Sequence, residues 1–548
     1  MARVLGINSV FHDPAAALVV DGAITAATEE ERFSRRKHGK DPVAFSTWEQ
    51  PECAARWCLD FAGITPLELD AVAYSYDPSL APISENVVDQ EWEPLRTLYA
   101  RRAPLFLRTV LPGLDPECVQ FVPHHVAHAA SAYLCAPFAR AAVMVLDGRG
   151  ERSSYLAGHA VDGDLRVLRR VELPSSLGVM YEEATAHLGF RRSSDEYKVM
   201  ALAAYGKPRF VDALARYVVA TDRGGFRTTP IPWSELCPAR ASDAPWDERH
   251  ADLASSVQMI LESVELDLAR WLHEQTKERA LVMAGGVALN CVANSKLWEE
   301  GPFDDVWVQP AAGDAGTALG AALAVAHDLG DDVQPFDGAD LGRAFDDDAI
   351  ENTLRSAALP YSRPNDLAAA VAEVLAGNGI VGWFQGRSEW GPRALGHRSL
   401  LANPSHAANL ELLNDVKGRE QFRPVAPMVL EERAGAIFDG PLPSPYMLFT
   451  HRVRPAWRAH IPAVVHVDGT ARIQTVNRTR EPLMAAVLDR FEARTGLPVL
   501  VNTSFNTAGR PIVDSPRDAL ECFATSPMDA LAMGGFLIQR TAIQRAVA

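Results

Sequence analysis

The stretch VPHHVAHAASAY, residues 122–133, sets His124, His125 and His128 close together. If it is helical, His124 and His128 stand at i and i+4 on one face, and His125 points about a quarter turn away. Two imidazoles on one face suit a borderline metal such as zinc or iron, and equally suit paired core or surface histidines. A metal needs carboxylates from elsewhere in the chain, and the histidine spacing does not name them.

A second chemistry-bearing set is cationic: Arg387, Arg393, Arg398, Lys417, Arg419, Arg423 and Arg472. Their interleaving with Trp383, Trp390, Gly391 and Pro392 suggests a pocket for a small anion, the alternative being a solvated basic face. A third signal is Gly285-Gly286 at a strand–helix junction. Paired glycines there let a ligand lie against bare backbone beside helix N–H groups, or simply make a tight turn.

These residues need elements to hold them. The N-terminus reads strand, loop, strand, Asp-Gly turn, strand through RVLGIN, SVFHDP, AAALVV, DG and AITAATEE. The pattern returns in AVMVLD, GRGER, SSYLAGHAV, DGD and LRVLRRVEL, its first strand ending in Asp147 where the first copy ends in Asn8. An internal repeat of this kind predicts two related subdomains whose loops meet in a cleft. Residues 251–275 are helical in period and lead to a buried strand, Ala280–Met283, and the glycine pair. Asp314 then precedes a Gly/Ala-rich helix and can serve simply as its N-cap. Residues 330–365 are polar and Asp-rich and read as a linker, after which a second domain runs to the end. The expected domains are 1–345 and 360–548.

At 548 residues the chain exceeds a single core. A net charge of −17 argues against a nucleic-acid binder with a broad basic surface. Seven scattered cysteines without a CxxC pair exclude a zinc ribbon and give no disulfide framework. No apolar run approaches about 18 residues, and the N-terminus lacks a signal pattern. The expectation is a cytoplasmic protein with neither a membrane nor a nucleic-acid partner.

Nine blocks then carry a resemblance: GINSVFHDPAAALVVDG, EEERFSRRKH, HHVAHAASAY, EYKVMALAAYG, GGVALNCVANSKL, GDAGTALGAAL, EWGPRALGHRS, FRPVAPMV and NTSFNTAGRPIV. In this order they resemble the NodU/CmcH-type O-carbamoyltransferases from about residue 3 to 540. The resemblance implies an α/β protein, with a duplicated actin-like (ASKHA, Kae1-like) N-terminal domain and an α/β YrdC-like C-terminal domain. It implies carbamoyl phosphate and ATP as cosubstrates, and a metal, iron, held by His124, His128, Asp147 and Asp314, with Mg²⁺ beside ATP. It further implies that carbamoyl phosphate is cleaved to carbamate at a site where Lys417 and Arg419 act. Arg423, Arg472, Asn502, Ser504 and Asn506 complete that site. Carbamate is then adenylated in the actin-like cleft, where Lys37, Gly148, Gly285, Gly286, Asn290 and Asp314 meet ATP. His12, in the first loop of the repeat, is the expected base for transfer to a hydroxyl of a natural product or sugar. The run LAAYG departs from the LAPYG of relatives.

The acceptor itself has no signature. Residues 75–118, with Trp92 and Tyr99, form either part of its site or ordinary packing. A homodimer is compatible with the sequence, which does not reveal the oligomeric state. Two other readings share parts of this pattern. One is a tRNA threonylcarbamoyladenosine-type enzyme, which the acidic charge disfavours. The other is a non-catalytic ATP-binding regulatory module, which would bind ATP without carbamoyl phosphate-dependent pyrophosphate release.

Overall fold

The computed structural model describes residues 2–81 and 93–547. The chain forms two units, Met1–Gly338 and Ala339–Ala548.

In the first unit, strands β1 (Arg3–Asn8), β2 (Ala15–Val20), β3 (Ala23–Glu29), β4 (Ala71–Tyr74) and β5 (Val119–Phe121) make a sheet of order β3-β2-β1-β4-β5. A second sheet uses β6 (Arg140–Leu146), β7 (Ser153–Val161) and β8 (Asp164–Glu172). A separate hairpin of β9 (Val218–Thr221) and β10 (Gly225–Thr228) precedes its last strands, β11 (Ala280–Ala284) and β12 (Asp305–Val308). The order of this second sheet is β12-β11-β6-β7-β8. The two sheets share one plan. Each opens with an antiparallel three-strand meander, and its first strand then pairs in parallel with a later strand and that strand with the next. The sequence repeat is therefore a repeat of topology, the duplicated plan of actin-like folds. Both meanders turn on Asp-Gly, with Asp21 and Gly22 at φ 53° and 76°, and Asp162 and Gly163 at φ 51° and 89°. Left-handed φ at both central residues is what the tight hairpin turn demands.

Two helices lie between the sheets. His124–Tyr133 packs on β6, β7 and β11, and Ala315–Asp328 packs on β1, β2 and β4. The two helices also pack against each other. A Cβ on Gly320 would come within 1.8 Å of the Ala127 carbonyl oxygen, so this crossing requires glycine. Leu5, Ile7, Val72 and Tyr74 centre the core under the first sheet, and Val143, Val145 and Val282 that under the second.

In the second unit, β13 (Val381–Phe384), β14 (Arg398–Ala402) and β15 (Ala426–Leu430) enter a seven-stranded mixed sheet. A small sheet of β16 (Phe438–Asp439), β17 (His451–Val453) and β18 (Thr470–Ala471) follows. With β19 (Gln474–Val476), β20 (Val499–Ser504), β21 (Ala530–Met533) and β22 (Phe536–Gln539), the large sheet runs β19-β15-β20-β14-β13-β21-β22. Helices Leu367–Ala376 and Pro482–Thr495 pack together over an apolar layer with Trp383 and Phe491.

The segment read as a linker contains a helix, Asp347–Ser356. Ile350 and Leu354, at i and i+4, enter the second unit's core, and Asp346 caps the helix by accepting from the Ala349 amide at 2.8 Å. Its polar composition reflects the solvent face, since two apolar residues suffice to dock so short a helix. Residues 339–345, placed by sequence in the first domain, are bound within the second unit. Gly342 N–H donates to the Ser388 carbonyl at 2.9 Å, and Arg343 pairs with Asp514. Among the described residues, no helix is long and apolar enough to cross a membrane.

Candidate functional site

The first unit's site lies at the carboxyl ends of β1 and β6, the usual place for ligands in α/β sheets. His124 and His128 rise from the start of their helix, with ring centroids 4.6 Å apart at 87°. Asp147 follows β6 directly, and Asp314 begins the facing helix. All four are buried. His124 Nε2 lies 3.3 Å from Asp147 Oδ2 and 3.6 Å from Asp314 Oδ1, and His128 Nε2 lies 3.6 Å from each of those oxygens.

These spacings exceed a good hydrogen bond. They match ligands of one tetrahedral ion with bonds near 2.1 Å, which stand ~3.4 Å apart. The donor set fits in other ways. His124 Nδ1–H donates to the Ser75 carbonyl at 3.2 Å, leaving the Nε2 lone pair for the cluster. Both ring nitrogens of His128 are buried without a hydrogen-bond partner, a cost of about 1–3 kcal/mol each unless a ligand satisfies them. Asp314 makes no side-chain cap to its own helix, so the N-cap alternative falls away. Gly286 N–H donates to Asp147 Oδ1 at 3.0 Å, holding the other oxygen toward the histidines. Burial works against charge throughout, yet Asp147 and Asp314 raise His124 well above the ordinary imidazole range. The histidines in turn hold Asp147 well below the carboxylate range. His125 is different: burial pushes it down to about 4, and its Nδ1 bonds to Ser153 Oγ at 2.8 Å.

Beside this cluster stands a second one. Asp13 Oδ2 accepts from His12 Nδ1 at 2.8 Å, and its Oδ1 accepts from His38 Nδ1 at 3.0 Å. Burial opposes the charge on His12, but Asp314 and Asp13 outweigh it and push the imidazole up to about 10. The His12 side chain keeps 29% exposure, so solvent screens part of that field. Asn8 holds the loop, its Nδ2 donating to the carbonyls of His12 and Asp13 at 3.0 and 2.9 Å.

In the second unit, Lys417 ends the helix Ala408–Lys417 with its ammonium buried. It donates to Ser504 Oγ at 2.9 Å and to Asn506 Oδ1. Arg419 donates through Nε to Asn414 Oδ1, and Asn414 Nδ2 donates to the Arg423 carbonyl at 3.0 Å. A cation ringed by side-chain oxygens, with an arginine two residues on, can take a small dianion by exchanging neutral partners for charged ones.

The family described as Carbamoyltransferase N-terminus matches residues 3–323, and that described as Carbamoyltransferase C-terminus matches residues 372–540. The chain belongs to the carbamoyltransferase family. This carbamoyltransferase is 38% identical to nodulation protein NolNO of Sinorhizobium fredii, over 97% of this chain and 80% of that one. It is 41% identical to nodulation protein NolO of Bradyrhizobium diazoefficiens, over 76% and 78%. Among solved structures, full-length HypF in its phosphate- and nucleotide-bound form aligns at 12% identity and a TM-score of 0.39, over 61% of this chain and 56% of that one.

The carbamoyltransferase brings some sequence-predicted residues together and sets others apart. His124, His128, Asp147 and Asp314 converge, as do Lys417, Ser504 and Asn506. Lys37 is paired with Glu31 at 3.2 Å, and a Cβ added at Gly148 would stand 3.4 Å from Glu182 Oε1. Asn290 caps the helix Cys291–Glu300 and donates to Gln258 Oε1 at 2.8 Å. Asn502 is fully buried, donating to the Ala394 carbonyl and to Gln474 Oε1. Arg423 pairs with Glu420 at 3.7 Å. Arg472 stands beside His466, which burial, with that cation adjacent, pushes down to about 4. Tyr99 packs on Phe106 at 6.2 Å, and Trp92 lies outside the described residues. Sequence reasoning missed Ser75, His38, Ser194 and Asn414. Ser75, His38 and Ser194 act through partners distant in sequence or through the backbone, and Asn414 through loop residues five and nine positions on; only the RRKH run hinted at His38.

Proposed function

We propose that this carbamoyltransferase moves the carbamoyl group of carbamoyl phosphate to a hydroxyl of a natural product or sugar, with ATP consumed. In this reading the second unit is YrdC-like, and Lys417 and Arg419, with Ser504 and Asn506, bind carbamoyl phosphate and favour its cleavage to carbamate and phosphate. Arg423, Arg472 and Asn502 complete the pocket's wall. Carbamate passes to the first unit, where its oxygen attacks the α-phosphorus of ATP and pyrophosphate leaves. Lys37, Gly148, Gly285, Gly286 and Asn290 bind the nucleotide there. The resulting carbamoyladenylate carries AMP as its leaving group, and the acceptor hydroxyl attacks the carbamoyl carbon.

The observation that carries this reading is the buried set of His124, His128, Asp147 and Asp314, with His128 unsatisfied, at the carboxyl ends of two repeated sheets. Its two imidazoles and two carboxylates suit a first-row metal, with iron proposed and Mg²⁺ accompanying ATP. Such an ion supplies Lewis-acid neutralisation of phosphate charge. The chain's own part is to hold the nitrogens and oxygens ready and to keep His12 near the transferring group. His12 is held protonated by Asp314 and Asp13, and neutralising Asp314 lowers it toward the range in which it accepts a proton. The test is pyrophosphate release from ATP by the whole protein. It should require carbamoyl phosphate and proceed without tRNA. Release independent of carbamoyl phosphate would reject the reading.

A further inference from the structure

The cluster at His12 differs in kind from the metal-type cluster beside it. Its contacts are 2.8 and 3.0 Å, true hydrogen bonds, against 3.3 to 3.6 Å in the other. It also continues further: His38 Nε2 lies 2.8 Å from Ser194 Oγ. Resting its catalytic half on the function proposed above, we propose that Asp13, His38 and Ser194 are positioning residues for His12. Together they form one hydrogen-bonded chain, Ser194–His38–Asp13–His12, that spans the two halves of the duplicated fold.

The polarity of the chain follows from the carboxylate. Ionised Asp13 can only accept, so both imidazoles present Nδ1–H to it. In the neutral form of each ring, His12 Nε2 is then the nitrogen the chain leaves for an incoming proton, and His38 Nε2 accepts from the Ser194 hydroxyl. Backbone conformation supports a built device. Asp13, His38 and Ser193 all adopt left-handed φ, at 50°, 63° and 57°, which non-glycine residues seldom do. Such residues gather where surrounding structure over-determines a functional geometry. Each is tied down: Asn8 holds the His12 and Asp13 carbonyls, Glu31 Oε2 accepts from His38 N–H at 2.8 Å, and Glu196 Oε1 accepts from Ser193 N–H at 2.7 Å. Asp13 and His38 belong to the first meander and its exit. Ser194 follows the helix Leu177–His187 of the second half. The base is thus set only when both halves meet.

In the transfer step, the acceptor oxygen bonds to the carbamoyl carbon as the bond from that carbon to the AMP oxygen breaks, and AMP departs with the electron pair. The hydroxyl proton goes to His12 Nε2. Asp13 keeps its hydrogen bond to Nδ1–H and steadies the imidazolium, and no proton passes along the chain.

The test uses the full-length protein labelled with ¹⁵N-histidine, with His12→Gln and His38→Gln assigning the ring signals. Both rings should show protonated Nδ1. Ser194→Ala should shift the His38 Nε2 resonance, and Ser194→Thr should restore it. A His38 signal unmoved by Ser194→Ala overturns the chain. The catalytic half is read as AMP release from ATP and carbamoyl phosphate with glycerol as probe acceptor. Ser194→Ala should lower kcat roughly threefold to tenfold, the effect of one hydrogen bond, with the KM for ATP unchanged. An unchanged kcat with shifted resonances overturns the positioning role. No AMP release from the unaltered protein counts against the proposed function, and the resonance result still decides the chain.

Discussion

His128 Nε2 and Asp314 Oδ1 lie 3.6 Å apart where the helices His124–Tyr133 and Ala315–Asp328 cross. Neither atom has a good hydrogen bond to the other, and both are buried. The relationship is what two ligands of the proposed metal ion would show. Replacing His128 by Ala should therefore empty the site, read as metal content by elemental analysis of the purified protein. In the unaltered protein, saturating metal at 100 times its Kd should add about 2.7 kcal/mol of stability, visible as a raised Tm that the variant lacks.

The same crossing is vulnerable at Gly320. A methyl group there meets the Ala127 carbonyl oxygen at 1.8 Å, and backbone cannot yield as a side-chain end does. Gly320→Ala should force the helices apart and cost about 1–3 kcal/mol, measured as a lowered urea midpoint. Metal affinity should fall with it, because the helices carry the proposed facing ligands.

Lys417 and His128 belong to different units, which predicts separable losses. Lys417→Ala should abolish carbamoyl phosphate-dependent pyrophosphate release yet leave transfer from supplied carbamoyladenylate. Loss of both activities in a folded variant would mean that the units do not divide the work.

His12→Asn should leave adenylate formation and reduce transfer by about 10²–10⁴-fold, the usual contribution of a general base. Separate assays of pyrophosphate exchange and AMP release distinguish this from a role in the ATP step.

Glu265 supplies a pH dependence unrelated to catalysis. It is buried in the helix Glu248–Thr276, neither carboxyl oxygen has a hydrogen bond, and burial, then Glu262, raises it well above the ordinary 4.5. The folded state thus keeps a proton that the unfolded state gives up near 4.5. Stability should fall as pH rises above that value, by about 1.4 kcal/mol per pH unit until the folded group ionises. Glu265→Gln should remove this slope and raise Tm at neutral pH, measured by thermal unfolding across pH 5–8.

The sequence by itself determined the repeated meanders, because alternating apolar strands and Asp-Gly turns are local signals with local physics. It also determined the i,i+4 geometry of His124 and His128, which any helix imposes. Tertiary structure decided which residues meet them. Asp314 could cap its helix or face the histidines, and only the close crossing at Gly320 made it a partner. The partners of Asn290 and Asn502 were equally illegible: Asn290 donates to Gln258 and caps its helix, and buried Asn502 donates to Gln474 and the Ala394 carbonyl, contacts made by tertiary packing. Asp13, His38 and Ser194 carry no spacing that links them. Their chain exists because two halves of a duplicated fold bring distant loops within hydrogen-bond reach, and short-range patterns cannot encode a contact between segments so far apart.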